Sequence, residues 1–181
     1  MRILVGCASM DSLEKDIAKA SQTLLEALFA FPDTQLVYGA YNGGLMGSAY
    51  KAAKKNGRAV IGASPESFGP VFEEIACEEA ITTPTISRRT EVLIDKGDVL
   101  LFLPGGIGTV YEFFSAFEWK RTGEFNKPLY LFNPNGYYDL LLAQLQRMVE
   151  LGAARQEPMA AFRVFETPEA LVAALKEETI G

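Results

Sequence analysis

The 181-residue chain is long enough for one domain, taken as residues 1–181, and a domain of this size buries roughly two thirds of its unfolded surface. Acidic residues outnumber basic ones by 23 to 17, for a formal charge of -6, and no Lys/Arg run exceeds a pair, which argues against nucleic-acid or membrane binding through a broad basic face. There is no histidine, and the two cysteines, Cys7 and Cys77, fall in predicted strands, so neither a disulfide framework nor a Cys/His metal site is suggested and a reducing, cytoplasmic setting is expected.

The chain opens on a strand-like run, Arg2 to Val5, within a first strand expected over Ile3 to Cys7, so no export signal is expected, and no apolar stretch reaches membrane-spanning length. A helix is expected from about Asp11, with Leu13, Ile17, Ala20, Leu24 and Leu28 at helical spacing. Asp11 and Glu14 resemble a capping box, which predicts a short loop before that helix. Leu36 to Tyr38 starts a second strand, and Gly39 to Gly47 forms a glycine-rich turn into a helix that stops at Asn56-Gly57. Ala59 to Gly62 reads as the third strand and Glu79 to Thr83 as the fourth, with a turn-rich loop at 64–70 between them. Ser87 is a candidate cap for a helix from Arg88 to Lys96, ended by Gly97.

Residues 98 to 112 form the pivotal stretch. Val99 to Leu103 is an apolar run suited to a strand buried on both faces, Pro104-Gly105-Gly106 is a turn, and Gly108-Thr109 opens a helix that carries Glu112. A glycine turn leading into a helix N-terminus presents unpaired N–H groups to an anion, most simply a phosphate. A carboxylate three residues past the threonine then lies one turn deeper, near whatever the phosphate carries. Further strands are expected at Pro128 to Phe132 and Arg163 to Phe165, with helices at 137–151 and after Thr167-Pro168. Strands alternating with helices predict an α/β fold: a Rossmann-like, doubly wound, mainly parallel sheet of six or seven strands. In such a sheet ligands bind beyond the carboxyl ends of the strands, here after strands one, two and five.

Several residues on those loops are candidates for the site. Gly6 and Ser9 allow close approach after the first strand; Gly43, Gly44 and Met46 belong to the second glycine loop, which lacks the Gly-Lys-Ser/Thr of a P-loop and a convincing dinucleotide fingerprint. Gly105, Gly106, Gly108 and Thr109 form the proposed phosphate grip, and Glu112 is the carboxylate behind it. Arg88 and Arg89, at the start of a helix where a cation opposes the macrodipole, suggest an anionic partner. The aromatic residues between Tyr111 and Trp119 point in too many directions for one sheet face, which favours a homodimer through this helix.

The segment Pro104-Gly-Gly-Ile-Gly-Thr-Val-Tyr-Glu112 resembles the Pro-Gly-Gly-x-Gly-Thr-x-x-Glu signature of the "lonely guy" family, the cytokinin riboside 5'-monophosphate phosphoribohydrolases long labelled possible lysine decarboxylases. Gly6 to Ser9, Gly39 to Gly47 and Asn133 to Tyr138 are similar to further stretches of that family. The resemblance implies hydrolysis of a nucleoside 5'-monophosphate, of the cytokinin riboside 5'-monophosphate or AMP type, to free base and ribose 5-phosphate. It also implies no metal or organic cofactor, a dimer with sites near the subunit contact, and catalytic roles for Glu112 and Arg89. Thr90 stands where the family usually has lysine, and Arg88 precedes the matching arginine. These departures bear on the base, and a branch of the superfamily acting on cytidine monophosphate or its 5-hydroxymethyl derivative resembles the pattern too. A non-catalytic nucleotide carrier on the same fold, or a phosphatase, is the reading from another class. Pyridoxal chemistry would need a Schiff-base lysine, and none lies near the turn of either glycine loop.

Overall fold

Seven strands line up in the order β4-β3-β2-β1-β5-β6-β7, each pair parallel, in a computed structural model that describes residues 1–180. They are β1 (Arg2–Gly6), β2 (Gln35–Tyr38), β3 (Val60–Pro65), β4 (Glu79–Thr83), β5 (Val99–Phe102), β6 (Leu129–Phe132) and β7 (Arg163–Phe165). The helices between them are α1 (Lys15–Ala30), α2 (Gly44–Lys55), α3 (Ile86–Lys96), α4 (Ile107–Arg121), α5 (Asp139–Glu150) and α6 (Pro168–Ile180). This is the doubly wound α/β arrangement expected, with the sheet parallel throughout.

The alternation of side chains along β1 and β5 divides the core in two. Ile3, Val5 and Leu101 join Leu24, Leu28, Ala49 and Leu171 on the face covered by α1, α2 and α6. Leu4, Leu100 and Phe102 join Leu93, Phe113, Phe117 and Leu145 on the face covered by α3, α4 and α5. Period-two alternation on a sheet covered on both sides turns the residues of its inner strands into the core, and all four residues of β5 are buried, whereas the edge strands β4 and β7 are largely exposed. The chain winds outward from β1 to β4 and returns through α3 to β5, so the loops after β1 and β5 diverge above the centre of the sheet. A crevice opens there in folds of this kind.

Several expected boundaries move. The loop after β1 is long rather than short: α1 starts at Lys15, capped by Glu14, whose carboxylate accepts from the N–H groups of Asp16 and Ile17 at 3.1 and 3.0 Å. Asp11 does not cap α1; its Oδ1 accepts from Gly44 N–H at 2.9 Å, tying the first loop to the second. The cap of α3 is Thr85, accepting from Arg88 N–H at 3.1 Å, and not Ser87. α4 begins at Ile107, two residues earlier than expected, because Gly106 is extended and serves as its N-cap. Cys7 lies just past β1 and Cys77 just before β4, so neither cysteine is within a strand; both are free thiols.

The aromatic excess on α4 is largely covered within the chain. The Phe162 ring stands edge-on to Phe113 and Phe117 at 5.2 and 5.3 Å, and both are buried. Tyr111 alone among the α4 aromatics is counted as exposed. No helix among the described residues is long and apolar enough to cross a membrane.

Candidate active site

A cleft of about 560 Å³ occupies the crevice at the carboxyl ends of β1, β2 and β5. Its floor comes from the end of β1. The Gly6 carbonyl accepts from Leu103 N–H at 2.8 Å and Ala8 N–H donates to the Pro104 carbonyl at 3.0 Å, which zips the loops after β1 and β5 together as they leave the sheet. On the other side the Ala8 carbonyl accepts from Met46 N–H at 3.1 Å. Gly44 has φ 55, and a Cβ there would stand 2.7 Å from the Met10 carbonyl oxygen, so only glycine lets α2 start this close to the first loop.

The turn after β5 is braced from behind. Tyr137 and Tyr138 donate their hydroxyls to the carbonyls of Gly105 and Leu103 at 2.8 and 2.7 Å. Asn133 in turn accepts from Tyr138 N–H at 2.6 Å and donates to Asp139. With the turn fixed, Gly106 caps α4 without any side-chain hydrogen bond, and the first intrahelical bond runs from Val110 N–H to the Gly106 carbonyl at 3.1 Å. The N–H groups of Ile107, Gly108 and Thr109 therefore lack intrahelical partners, and Gly106 to Gly108 are exposed at the cleft. Such an end carries a partial positive charge and is suited to an anion.

Glu112 lies one turn along α4. It is 7% exposed and is hydrogen-bonded to Arg89, which rises from α3 and is equally buried. Burial pushes the Glu112 carboxyl above its ordinary range, and the opposing pull of the Arg89 charge does not cancel that shift. Burial, followed by the nearby Glu112 charge, drives the Cys7 thiol up as well and keeps it protonated. Arg89 Nε is buried without a hydrogen-bond partner, so its guanidinium is only partly satisfied by the carboxylate.

The cleft brings together Gly6, Ser9, Met46, Arg89, Gly106, Gly108, Thr109 and Glu112 of the residues singled out from the sequence. It leaves others outside its lining. Gly43 and Gly44 pack the second glycine loop against Ser9 and Met10, and Gly105 packs against the Thr109 side chain. Arg88 points away to Glu91, 2.6 Å distant, with most of its side chain in water. Thr90 is buried and donates to the Ile86 carbonyl at 3.1 Å, so no side chain from that position enters the cleft. Sequence reasoning missed Tyr41, Phe68, Val71 and Ile86, which supply an apolar wall. Among the described residues no group of three or more His, Cys, Asp or Glu side chains is arranged to hold a metal ion.

Residues 46–175 match the family model described as "Possible lysine decarboxylase". The cytokinin riboside 5'-monophosphate phosphoribohydrolase of Rhodococcoides fascians is 30% identical over 176 residues, covering 96% of this chain and 88% of that protein. The chain belongs to this family. A plant member, the cytokinin riboside 5'-monophosphate phosphoribohydrolase LOG2 of Arabidopsis thaliana, is 34% identical over 154 residues, covering 83% of this chain and 71% of its own length. Among solved structures, the molybdenum cofactor binding protein of Rippkaea orientalis superposes with a TM-score of 0.71 over 98% of this chain and 96% of that one. At 22% identity the likeness is one of fold.

Proposed function

We propose that the protein hydrolyses the N-glycosidic bond of a nucleoside 5'-monophosphate, releasing the free base and ribose 5-phosphate, with the adenine-type base of a cytokinin riboside 5'-monophosphate or AMP as the favoured leaving group. The observation that carries this reading is the buried Arg89–Glu112 pair standing one helical turn behind the unpaired N–H groups of α4. A ligand phosphate on Ile107, Gly108 and Thr109 sets its sugar beside Glu112. Breaking the bond from C1' to the base builds positive charge on the ribosyl ring and negative charge on the base. The Glu112 carboxylate stabilises the first and orients water, whose oxygen bonds to C1' and whose proton passes to Glu112 and on to solvent, as the base departs with the electron pair of the broken bond. Arg89 points that carboxylate and favours its charged form against the burial that disfavours it. Proton sources for the leaving base within the cleft are the Tyr41 and Tyr111 hydroxyls and solvent.

The names of the relatives support the reaction class, and the apolar wall supports an adenine-type base over cytosine. Decarboxylation of lysine through a Schiff base finds no lysine among the residues lining the cleft. Homodimer formation belongs to the same proposal, since Ile107 and Tyr111 on α4 stay exposed beside the cleft. The test is a screen of nucleoside 5'-monophosphates, each beside its nucleoside, scored by released base. Hydrolysis of a nucleotide and neglect of its nucleoside is expected. Equal efficiency on both would remove the phosphate grip from the account, and release of cytosine in preference to adenine would move the substrate to the pyrimidine branch.

A further inference from the structure

The polar and apolar groups of the cleft can be followed from one neighbour to the next. The unpaired N–H groups of α4 stand at one end. Glu112 comes next, its Oε2 3.2 Å from the point a Cβ on Gly6 would occupy. Arg89 continues away from Glu112: its Nη1 lies 3.4 Å from the corresponding point on Gly39, where Met46 Cε also closes in at 3.0 Å. The guanidinium carbon then stands 5.8 Å from the centre of the Phe68 ring. Beyond Arg89 the wall is made of Phe68, Met46, Val71 and Ile86. The phosphate, sugar and base of a nucleotide are linked in the same succession. A ligand with its phosphate on α4 and C1' beside Glu112 therefore directs its base toward Phe68.

Phe68 is suited to receive it. The ring is carried on a single 3-10 turn, Glu66–Phe68, closed by Gly69 N–H to the Glu66 carbonyl at 3.1 Å, and it remains 53% exposed although it borders a cleft. One side of the ring is near a cation, which the ring's quadrupole favours, and the rest is open. Among the described residues no Asn, Gln or Asp side chain lines the cleft, so the side chains offer few groups to read the donor and acceptor pattern of a base edge. A wall of this kind discriminates by area, and a fused two-ring base covers more of it than a single ring does.

We propose that Phe68 is the residue on which the base stacks and that it makes the cleft favour purine over pyrimidine nucleotides. The assignment rests on the nucleotide reading of the cleft for the direction of the ligand, and it is independent of whether the bond is cut. Three ligands separate the contributions: AMP, CMP and ribose 5-phosphate, which has the sugar and phosphate without a base. Their dissociation constants would be measured on the Glu112→Gln protein, where turnover is suppressed, with and without Phe68→Ala or Phe68→Tyr, and KM and kcat on the proteins that retain Glu112.

Phe68→Ala is expected to weaken AMP binding by roughly tenfold or more, CMP binding by less, and ribose 5-phosphate binding not at all. KM for AMP should rise while kcat stays within about threefold, since stacking acts alike in ground and transition states. Phe68→Tyr keeps the ring and should restore AMP binding. An equal loss for AMP and ribose 5-phosphate would make Phe68 a structural prop and overturn the proposal. So would unchanged AMP affinity in Phe68→Ala, or CMP bound as tightly as AMP before Phe68 is changed. AMP binding that depends on Phe68 in a protein that releases no base would sink the hydrolase reading and uphold the stacking assignment; a protein that binds none of the three ligands refutes both.

Discussion

At the amino ends of β1 and β5, Arg2 meets Asp98; at the carboxyl ends of the same strands, Arg89 meets Glu112. The first pair is about two fifths exposed and well satisfied: Asp98 accepts from Arg2 N–H at 2.7 Å, from Nη2 at 2.7 Å and from Nε at 3.2 Å. Burial pushes the Asp98 carboxyl up, but the side-chain and backbone hydrogen bonds from Arg2 together hold it below its ordinary value, and the hydrogen bond to Asp98 raises Arg2. The second pair is buried, leaves Arg89 Nε without a partner, and has its carboxyl shifted up. One pair joins two strands at modest benefit. The other keeps a carboxylate in a place that disfavours it, which is a poor way to stabilise a fold and a good way to hold a charge ready for a developing cation.

Glu112→Gln should break this contrast most sharply. The amide keeps the size and a hydrogen-bond acceptor for Arg89 and loses the charge. Under single-turnover conditions the rate of base release should fall by roughly 10² or more, about 3 kcal/mol, while nucleotide affinity and fold are nearly kept. If Glu112 is instead only a helix residue favoured by the macrodipole, the same change costs less than about 1 kcal/mol of stability and leaves turnover alone. Normal base release from a folded Glu112→Gln protein would take the residue out of the chemistry.

Arg89→Ala should come next, and it acts on stability as well as turnover. Removing the guanidinium strands a buried carboxylate, at a cost of about 2 to 3 kcal/mol near neutral pH, held down because Glu112 can take up a proton. The pH dependence has a definite sign. A carboxyl whose folded pKa is raised contributes stability fully below its unfolded pKa, and that contribution is lost as pH rises through the folded value. Without Arg89 the folded value rises further, so the deficit in melting temperature should shrink as pH is lowered from 8 toward 5. Arg88→Ala serves as the control, because its partner Glu91 is an exposed neighbour on the same helix and the pair contributes little. A deficit that is independent of pH, or equal for the two arginines, would show that Arg89 matters for packing and not for charge.

The two ends of the sheet also differ in how far the sequence discloses them. The strand, glycine turn and helix at 98–112 are contiguous, so their order and the depth of Glu112 behind Gly106 follow from local pattern, and a mainly parallel sheet of six or seven strands follows from alternation of the same sort. Asp11 is ambiguous in the sequence because its carboxylate has two plausible uses: a local cap, or Gly44 N–H across 33 positions. Only the packing of the two loops decides for the second. Ser87 and Thr85 are both good caps, and it is the end of β4 at Thr83 that puts Thr85 at the helix start. Asn133, Tyr137 and Tyr138 were visible as a motif whose role could not be read, since the carbonyls that the tyrosines hold lie more than 30 residues away. Phe68 carries no local signal at all. Its turn becomes part of the cleft only through the pairing of β3 with β2 and the position of α3.

Asp98→Asn should have the smallest effect, and its pH dependence runs the other way. With its folded pKa depressed, Asp98 contributes stability that is present above the unfolded value of about 3.9 and lost as pH falls through the folded one. At pH 7 the substitution should therefore cost less than about 1 kcal/mol, because both side chains are some two fifths in water and the asparagine oxygen can still accept from Arg2 N–H. For a chain of this length that is a drop of at most roughly 2 to 4 °C in melting temperature, diminishing as salt is raised. Base release should be unchanged, as Asp98 lies at the opposite ends of the strands from the cleft. A loss of turnover in Asp98→Asn comparable to that in Arg89→Ala would mean that the amino ends of β1 and β5 are mechanically coupled to the site, and the division between a structural and a functional pair would no longer hold.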